Sequence, residues 1–195
     1  MRTGIFGGTF NPPHMGHIAA AKAAKKAMKL DRVVFVPANI PPHKSLPQNT
    51  PMKEQRLFMT HMAAYMAGAE VSAWELMKEG KSYTYETMEH FKELYKGDKL
   101  FFIVGTDMLR TFEKWKNPER ILACCALLAL CRDEREKDSM EFYAESIRKN
   151  LGGEVHVVDN DVLKISSTDV RGGRHDMVPP IIAEYIERNR LYNDR

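Results

Sequence analysis

The sequence predicts an α/β fold: a doubly wound, Rossmann-like parallel sheet of about six strands with helices on both faces. Three observations carry that expectation. Apolar segments of strand length alternate along the chain with segments of helical period. The segment "RVVFVPA" is a continuous apolar run, as a strand buried on both faces requires. No internal repeat, low-complexity stretch or interdomain linker interrupts the pattern, so residues 1–195 read as a single domain.

Each element follows in order. "RTGIF" is the first strand. "GHIAAAKAAKKAMKL" is a helix that turns Ile18, Ala21 and Met28 to the sheet and Lys22, Lys25, Lys26 and Lys29 to water. "RVVFVPA" is the second strand, and the proline-rich loop "NIPPHKSLPQN" comes next. Thr50 is expected to cap a helix with Pro51 in its first turn, and "EVSAW" to form a third strand. A helix near Thr84 to Tyr95 precedes the strand "KLFFIV", which ends in "GTD". After the short helical piece "MLRTFEKW", Asn117-Pro118 signals another helix start ahead of the strand "CALLAL". Ser139 caps a charged helix that Gly152 and Gly153 terminate, "EVHVV" is strand six, and "ISSTDVRGG" opens a short helix. In the terminal helix "PPIIAEYIERNRLY", Ile181, Ile182, Tyr185 and Ile186 form a stripe for burial. A doubly wound sheet keeps its ligand crevice beyond the carboxyl ends of the strands, where the strand order reverses. The loops after strands one, two, four and six are therefore the places to look for chemistry.

Composition narrows the function classes. The longest uncharged apolar run, "ILACCALLALC", falls well short of the ~18–20 residues of a membrane span, and the first residues lack the order of a signal peptide, so a cytoplasmic protein is expected. Cys124, Cys125 and Cys131 all lie in or beside that run, which argues for buried thiols rather than a disulfide framework. A net charge of +3 suits an anionic small molecule and lacks the concentrated basic stripe of a nucleic-acid binder.

The stretch "GGTFNPPHMGH" invites three explanations. A metal site would need His14, His17 and a third ligand such as His43, but no "HExxH" arrangement accompanies them. Neither "GxGxxG" nor "GK[ST]" is present, which removes the dinucleotide fingerprint and the nucleoside-triphosphatase loop. Anion binding remains: Gly7 and Gly8 let backbone amides approach a ligand, Gly16-His17 begin a helix, and two imidazoles add donors. Lys44 of "PPHK" and Ser166, Ser167, Thr168 and Arg171 of "ISSTDVR" supply two further donor-rich loops at strand ends. None of these groups is a nucleophile with a base and an orienting partner beside it. They suit phosphoryl or nucleotidyl transfer between phosphates, in which the attacker is already anionic and the protein aligns it and stabilises developing charge.

At these residues the chain resembles the nucleotidyltransferases marked by an "HxGH" loop and a C-terminal "ISSTxxR" motif, and within them the bacterial nicotinate-nucleotide adenylyltransferase family. The matches are "GGTFNPPHMGH", "PPHK", "SYTYET", "FFIVGTDML" with "EKW", "ISSTDVR" and "IAEYIERNRLY", in order over nearly the whole chain. The resemblance implies transfer of AMP from ATP to nicotinate mononucleotide, with Mg2+ required, and no nucleic-acid or membrane partner; a homo-oligomer stays open. It also implies roles. His14 and His17 would contact the ATP phosphates and the transition state; Gly7, Gly8, Thr9 and Phe10 would line the nucleotide crevice. Lys44 would reach phosphates, Ser166, Ser167 and Arg171 would hold the β- and γ-phosphates, and Gly105 and Asp107 would lie by a ribose. Thr84 and Trp115 would form the nicotinate pocket. Plainer readings stand beside these: Thr84 and Asp107 as helix caps, Trp115 as core. Asn11 and Arg190 depart from the family pattern, which more often has aspartate and glycine there. Acceptors such as nicotinamide mononucleotide or phosphopantetheine, and a non-catalytic nucleotide-binding module, are the competing readings.

Overall fold

The computed structural model describes residues 1–42, 45–131, 136–159 and 165–192. Six strands form one parallel sheet: β1 (Arg2–Gly8), β2 (Arg32–Pro37), β3 (Glu70–Val71), β4 (Lys99–Gly105), β5 (Ala126–Cys131) and β6 (Val155–Asp159). Their order is β3-β2-β1-β4-β5-β6, so the winding reverses between β1 and β4, as the doubly wound reading expects.

Register explains how both faces become buried. Val34, Ile5, Phe102, Leu127 and Val155 are aligned across five strands and all belong to one core layer. The row one residue earlier runs through Val33, Gly4, Phe101 and Ala126, and its side chains belong to the opposite layer. Ile18, Ala21 and Ala24 of α1 (Met15–Ala27), Met59 and Ala63 of α2 (Lys53–Ala67) and Ile182 and Ile186 near the C-terminus cover that second face. The other face is covered by Met88 and Phe91 of α4 (Thr84–Leu94), Ile121 of α6 (Pro118–Cys124) and Met140 and Ile147 of α7 (Lys137–Leu151). Short helices complete the chain: α3 (Trp74–Met77), α5 (Thr106–Thr111), α8 (Ser167–Arg171) and α9 (Pro180–Arg188).

Several local expectations are corrected. Thr50 does not cap α2: the helix starts at Lys53, with the Gln55 side chain accepting the Met52 N–H, and the Thr50 hydroxyl accepts from Asn11 instead. "EVSAW" forms only the two-residue β3, because Trp74 already begins α3. Helix α7 starts at Lys137, ahead of Ser139, whose hydroxyl donates back to the Glu136 carbonyl. Ile181 is 49% exposed, since the buried stripe of α9 is the narrower pair Ile182 and Ile186. Arg190 stands just past α9 at a φ of 50°, the left-handed conformation that favours the glycine common in relatives. Cys125 and Cys131 are buried as expected, Cys124 is half-buried, and all three are free thiols. Among the described residues no helix is long and apolar enough to cross a membrane.

The amino ends of the central strands β2, β1 and β4, away from the crevice, are tied by Asp98. Its carboxylate accepts from Thr3 Oγ1 at 2.8 Å, from Arg32 Nη2 at 2.9 Å and from the N-terminal ammonium at 3.1 Å. These bonds, that from Thr3 foremost, hold its pKa down, from 3.8 to about 2. A depressed carboxylate stabilises the fold above its unfolded pKa and loses that contribution as pH falls through the folded value. Asp98→Asn is therefore expected to lower the urea midpoint at pH 6 and to do so progressively less as pH falls from 4 to 2 and below; an advantage that stays constant with pH contradicts this.

Candidate active site

The first loop takes its shape from Phe10. Strand β1 ends at Gly8, and Phe10, at a φ of 46°, folds its ring back beneath the strand end. The ring is 2% exposed and packs against Phe6, Phe35 and His17, with centroids 5.7, 5.2 and 5.1 Å away. Only glycine fits above it: a Cβ at position 8 would lie 2.9 Å from Phe10 Cζ. Asn11–Pro12 is a cis peptide, and the chain then reaches His14, whose extended backbone (φ −141°) caps α1.

The two histidines act as a pair. The His14 backbone N–H donates to His17 Nδ1 at 3.1 Å, the reach-back of a capping box with imidazole as acceptor. Since Nδ1 accepts, the neutral ring carries its proton on Nε2. The rings lie 3.7 Å apart, His14 buried and His17 half-buried, at the positive end of the α1 dipole.

Four distant parts of the chain brace this loop. Arg56 of α2, 2% exposed, donates from Nη1 to the Thr9 carbonyl at 2.9 Å and the Ala38 carbonyl at 2.7 Å, and from Nη2 to the Asn39 carbonyl at 3.3 Å. The buried Asn11 side chain accepts from the Tyr192 hydroxyl at 2.9 Å and donates to Thr50 Oγ1 at 3.0 Å. Ser167 Oγ donates to the Pro12 carbonyl at 2.9 Å, and Arg171 Nη1 to the Asn11 carbonyl at 2.7 Å. Ser166 caps α8 in a capping box with Asp169, whose carboxyl is held below its ordinary pKa by the Ser166 hydroxyl and amide.

Two cavities open at the carboxyl ends of β1 and β4. The first, about 260 Å³, is walled by His14, His17, Phe10, Gly105 and Ser167. The second, about 290 Å³, is walled by Trp115, Thr84, Phe102, Pro41, Pro42 and Glu75. They share Gly7, Gly8, Thr9, Asp107 and Met108, so the end of β1 forms a low partition between two adjoining compartments.

The cytidylyltransferase-like family model matches residues 5–173. Proteins of Thermoanaerobacter sp. (strain X514) and Clostridium botulinum (strain Alaska E43 / Type E3), both named "Probable nicotinate-nucleotide adenylyltransferase", are each 38% identical to this chain, covering 98% and 99% of it and 94% and 98% of themselves. The chain belongs to the nicotinate-nucleotide adenylyltransferase family. Its fold agrees with a member from Plasmodium falciparum, a nicotinic acid mononucleotide adenylyltransferase solved in complex with NaAD, at a TM-score of 0.77 and 17% identity, covering 98% of this chain and 97% of that one.

The residues singled out by the family motifs divide by position. Gly7, Gly8, Thr9, Phe10, His14, His17, Gly105, Asp107 and Ser167 line the first cavity, and Thr84 and Trp115 line the second with the shared residues. Trp115 is also core: it is 8% exposed and packs on Phe112 and Phe102, with centroids 5.4 and 6.1 Å away. Thr84 is the first residue of α4 rather than its cap, and Asp107 sits exposed in the first turn of α5. Ser166 and Arg171 stand outside both linings, where Arg171 bonds the Asn11 carbonyl and the Thr168 hydroxyl. Lys44 and His43 lie outside the described residues.

Sequence reasoning missed Arg56, Glu75, Ser82 and Tyr192. The signal for Arg56 was a charged residue in register with Met59, Thr60 and Ala63 on the buried stripe of α2. Burial lowers its pKa, yet its donors satisfy three carbonyls at strand ends. Replacing it leaves those carbonyls without their charged donor, so Arg56→Met is expected to cost about 3 kcal/mol or more in urea unfolding, and Arg56→Lys less. A loss below ~1 kcal/mol for Arg56→Met would show that the bracing is dispensable.

Proposed function

We propose that this chain transfers AMP from ATP to nicotinate mononucleotide, forming deamido-NAD (nicotinate adenine dinucleotide) and pyrophosphate. The observation that carries this reading is the pair of adjoining cavities on either side of Gly7–Thr9: one edged with imidazoles at a helix start, the other lined with an indole and other apolar side chains. A dinucleotide needs two such compartments with its phosphates between them. We read residues 1–195 as a single nucleotidyltransferase domain and place its reaction in the cytoplasm, in keeping with three free thiols.

ATP is assigned to the first cavity, with Gly105 and Asp107 by a ribose, and the mononucleotide to the second, its ring against Trp115 and Thr84. A phosphate oxygen of the mononucleotide attacks the α-phosphorus in line, the bond from that phosphorus to the bridging oxygen of pyrophosphate breaks, and no covalent enzyme intermediate forms. The attacker is already anionic, so no base is needed. Charge grows on the α-phosphoryl oxygens and the leaving group, where Nε2–H of His17 and the imidazole of His14 act as donors, with the α1 dipole behind them. Lys44, Ser166, Ser167 and Arg171 are assigned to the β- and γ-phosphates; Ser167 and Arg171 also hold the loop that carries the histidines.

Among the described residues no three His, Cys, Asp or Glu side chains are grouped to hold a metal. Mg2+ would come to the site as the counter-ion of the triphosphate and would there share the charge of the leaving pyrophosphate.

The direct test is pyrophosphate release from ATP and Mg2+ with nicotinate mononucleotide, nicotinamide mononucleotide and phosphopantetheine in separate reactions. Release with the first is expected; none with any acceptor refutes the enzymatic reading, and preference for the second refutes the substrate. His17→Ala should lower kcat by on the order of 10²-fold in a protein that still folds, with only a small fall in Tm from the lost capping bond; near-normal turnover would remove it from the transition state. Trp115→Ala should raise KM for the mononucleotide more than KM for ATP, and an equal effect on both would take the indole out of the acceptor site.

A further inference from the structure

Two carboxylates line the second cavity. Asp107 is exposed at its rim, whereas Glu75 is only 6% exposed in its wall. Thr87 Oγ1 donates to Glu75 Oε1 at 2.5 Å, and the Ser82 hydroxyl, which accepts from the Asn39 N–H, lines the same cavity. Among the described residues no cation pairs with Glu75 directly: Lys78 acts on it from a distance, its ammonium paired with Glu86. Burial pushes the Glu75 pKa up, the Thr87 and Ser82 hydroxyls and Lys78 pull it down, and Glu86 pushes it up. A glutamine would accept the Thr87 hydrogen bond without the desolvation of a charge. Trp115, Phe102, Pro41 and Pro42 give the cavity apolar walls suited to a flat ring, hydroxyls such as those of Thr84 and Thr111 add neutral polar groups, and neither explains a buried carboxyl.

A pyridine mononucleotide carries a fixed positive charge on its glycosylated ring nitrogen. We propose that Glu75 is the counter-charge of that ring, a specificity-determining residue that makes the second cavity select pyridinium acceptors over nucleotides with a neutral ring. This rests on the assignment of the second cavity to the acceptor. Entry of the cation favours the ionised carboxyl, and the attraction is strengthened because Glu75 is 6% exposed and little water reaches it. The ring stays cationic from substrate to product, so the interaction is the same in ground and transition states. Its effect falls on KM of the acceptor, with kcat and KM for ATP left in place.

The test compares nicotinate mononucleotide with its C-nucleotide isostere, in which a benzene carbon replaces the ring nitrogen, by calorimetric binding and by pyrophosphate release. Wild type should favour the pyridinium nucleotide by about 10-fold or more, Glu75→Gln should bring that ratio close to one, and Glu75→Asp should restore part of it. KM for ATP should stay within about 2-fold throughout. A Glu75→Gln enzyme that keeps the wild-type ratio, or that weakens both acceptors equally as a merely structural role would, overturns the proposal. So does a wild-type ratio of one, which is read independently of whether the variant folds. A wild-type protein that binds neither acceptor refutes the acceptor site itself, and the role of Glu75 with it.

Discussion

A cation buried among carbonyls holds the ligand end of this sheet together. Where β1 and β2 stop, the ladder no longer supplies donors, and the carbonyls of Thr9, Ala38 and Asn39 turn to the guanidinium of Arg56. A planar fork can serve three carbonyls from two chain segments at once, which a lysine ammonium does with less geometric control. Because both segments are tied to one rigid group, the partition at Gly7–Thr9 keeps its position relative to the loop after β2. Both cavities are bounded by that partition.

The first loop is then organised by side chains whose bonds are all local in space and remote in sequence. Phe10 fills the space beneath β1, Asn11 has its amide nitrogen, amide oxygen and backbone carbonyl all bonded, and Pro12 gives its carbonyl to Ser167. The result is a helix start at which one imidazole is oriented by the backbone amide of the other residue's position. The C-terminal motif thus has two positions in the structure: Ser167 at its helix start lines the first cavity, and its serine and arginine fasten the loop opposite.

Much of this was legible in the sequence, because the signals concerned are local. Strand runs, proline and glycine punctuation and the donor-rich loops at strand ends each declare themselves within a dozen residues, and the doubly wound class follows from alternation, whereas the strand order comes from the structure. Helix starts were read less well. Thr50 and Ser139 are good capping residues, yet tertiary demands won: Thr50 was taken by Asn11, and Ser139 fell inside a helix begun at Lys137. Arg56 and Glu75 carry no local mark of their burial, since burial depends on what packs against a residue and not on its neighbours in sequence. Tyr192 read as the tail of a terminal helix, and nothing local connects it with Asn11. Trp115 exposed a false choice, being core on one side of its ring and cavity wall on the other.

The ties that shape the first loop span 155, 160 and 181 residues. During synthesis the glycines, prolines and histidines of that loop emerge early and wait for partners made near the end. Closing such long loops carries an entropic cost that only the assembled native contacts repay. A nascent or truncated chain that has β1 and α1 but lacks α8 and Tyr192 holds the motif without its shape. The fold therefore couples competence to completion: the site comes into being last, although its signature is made first.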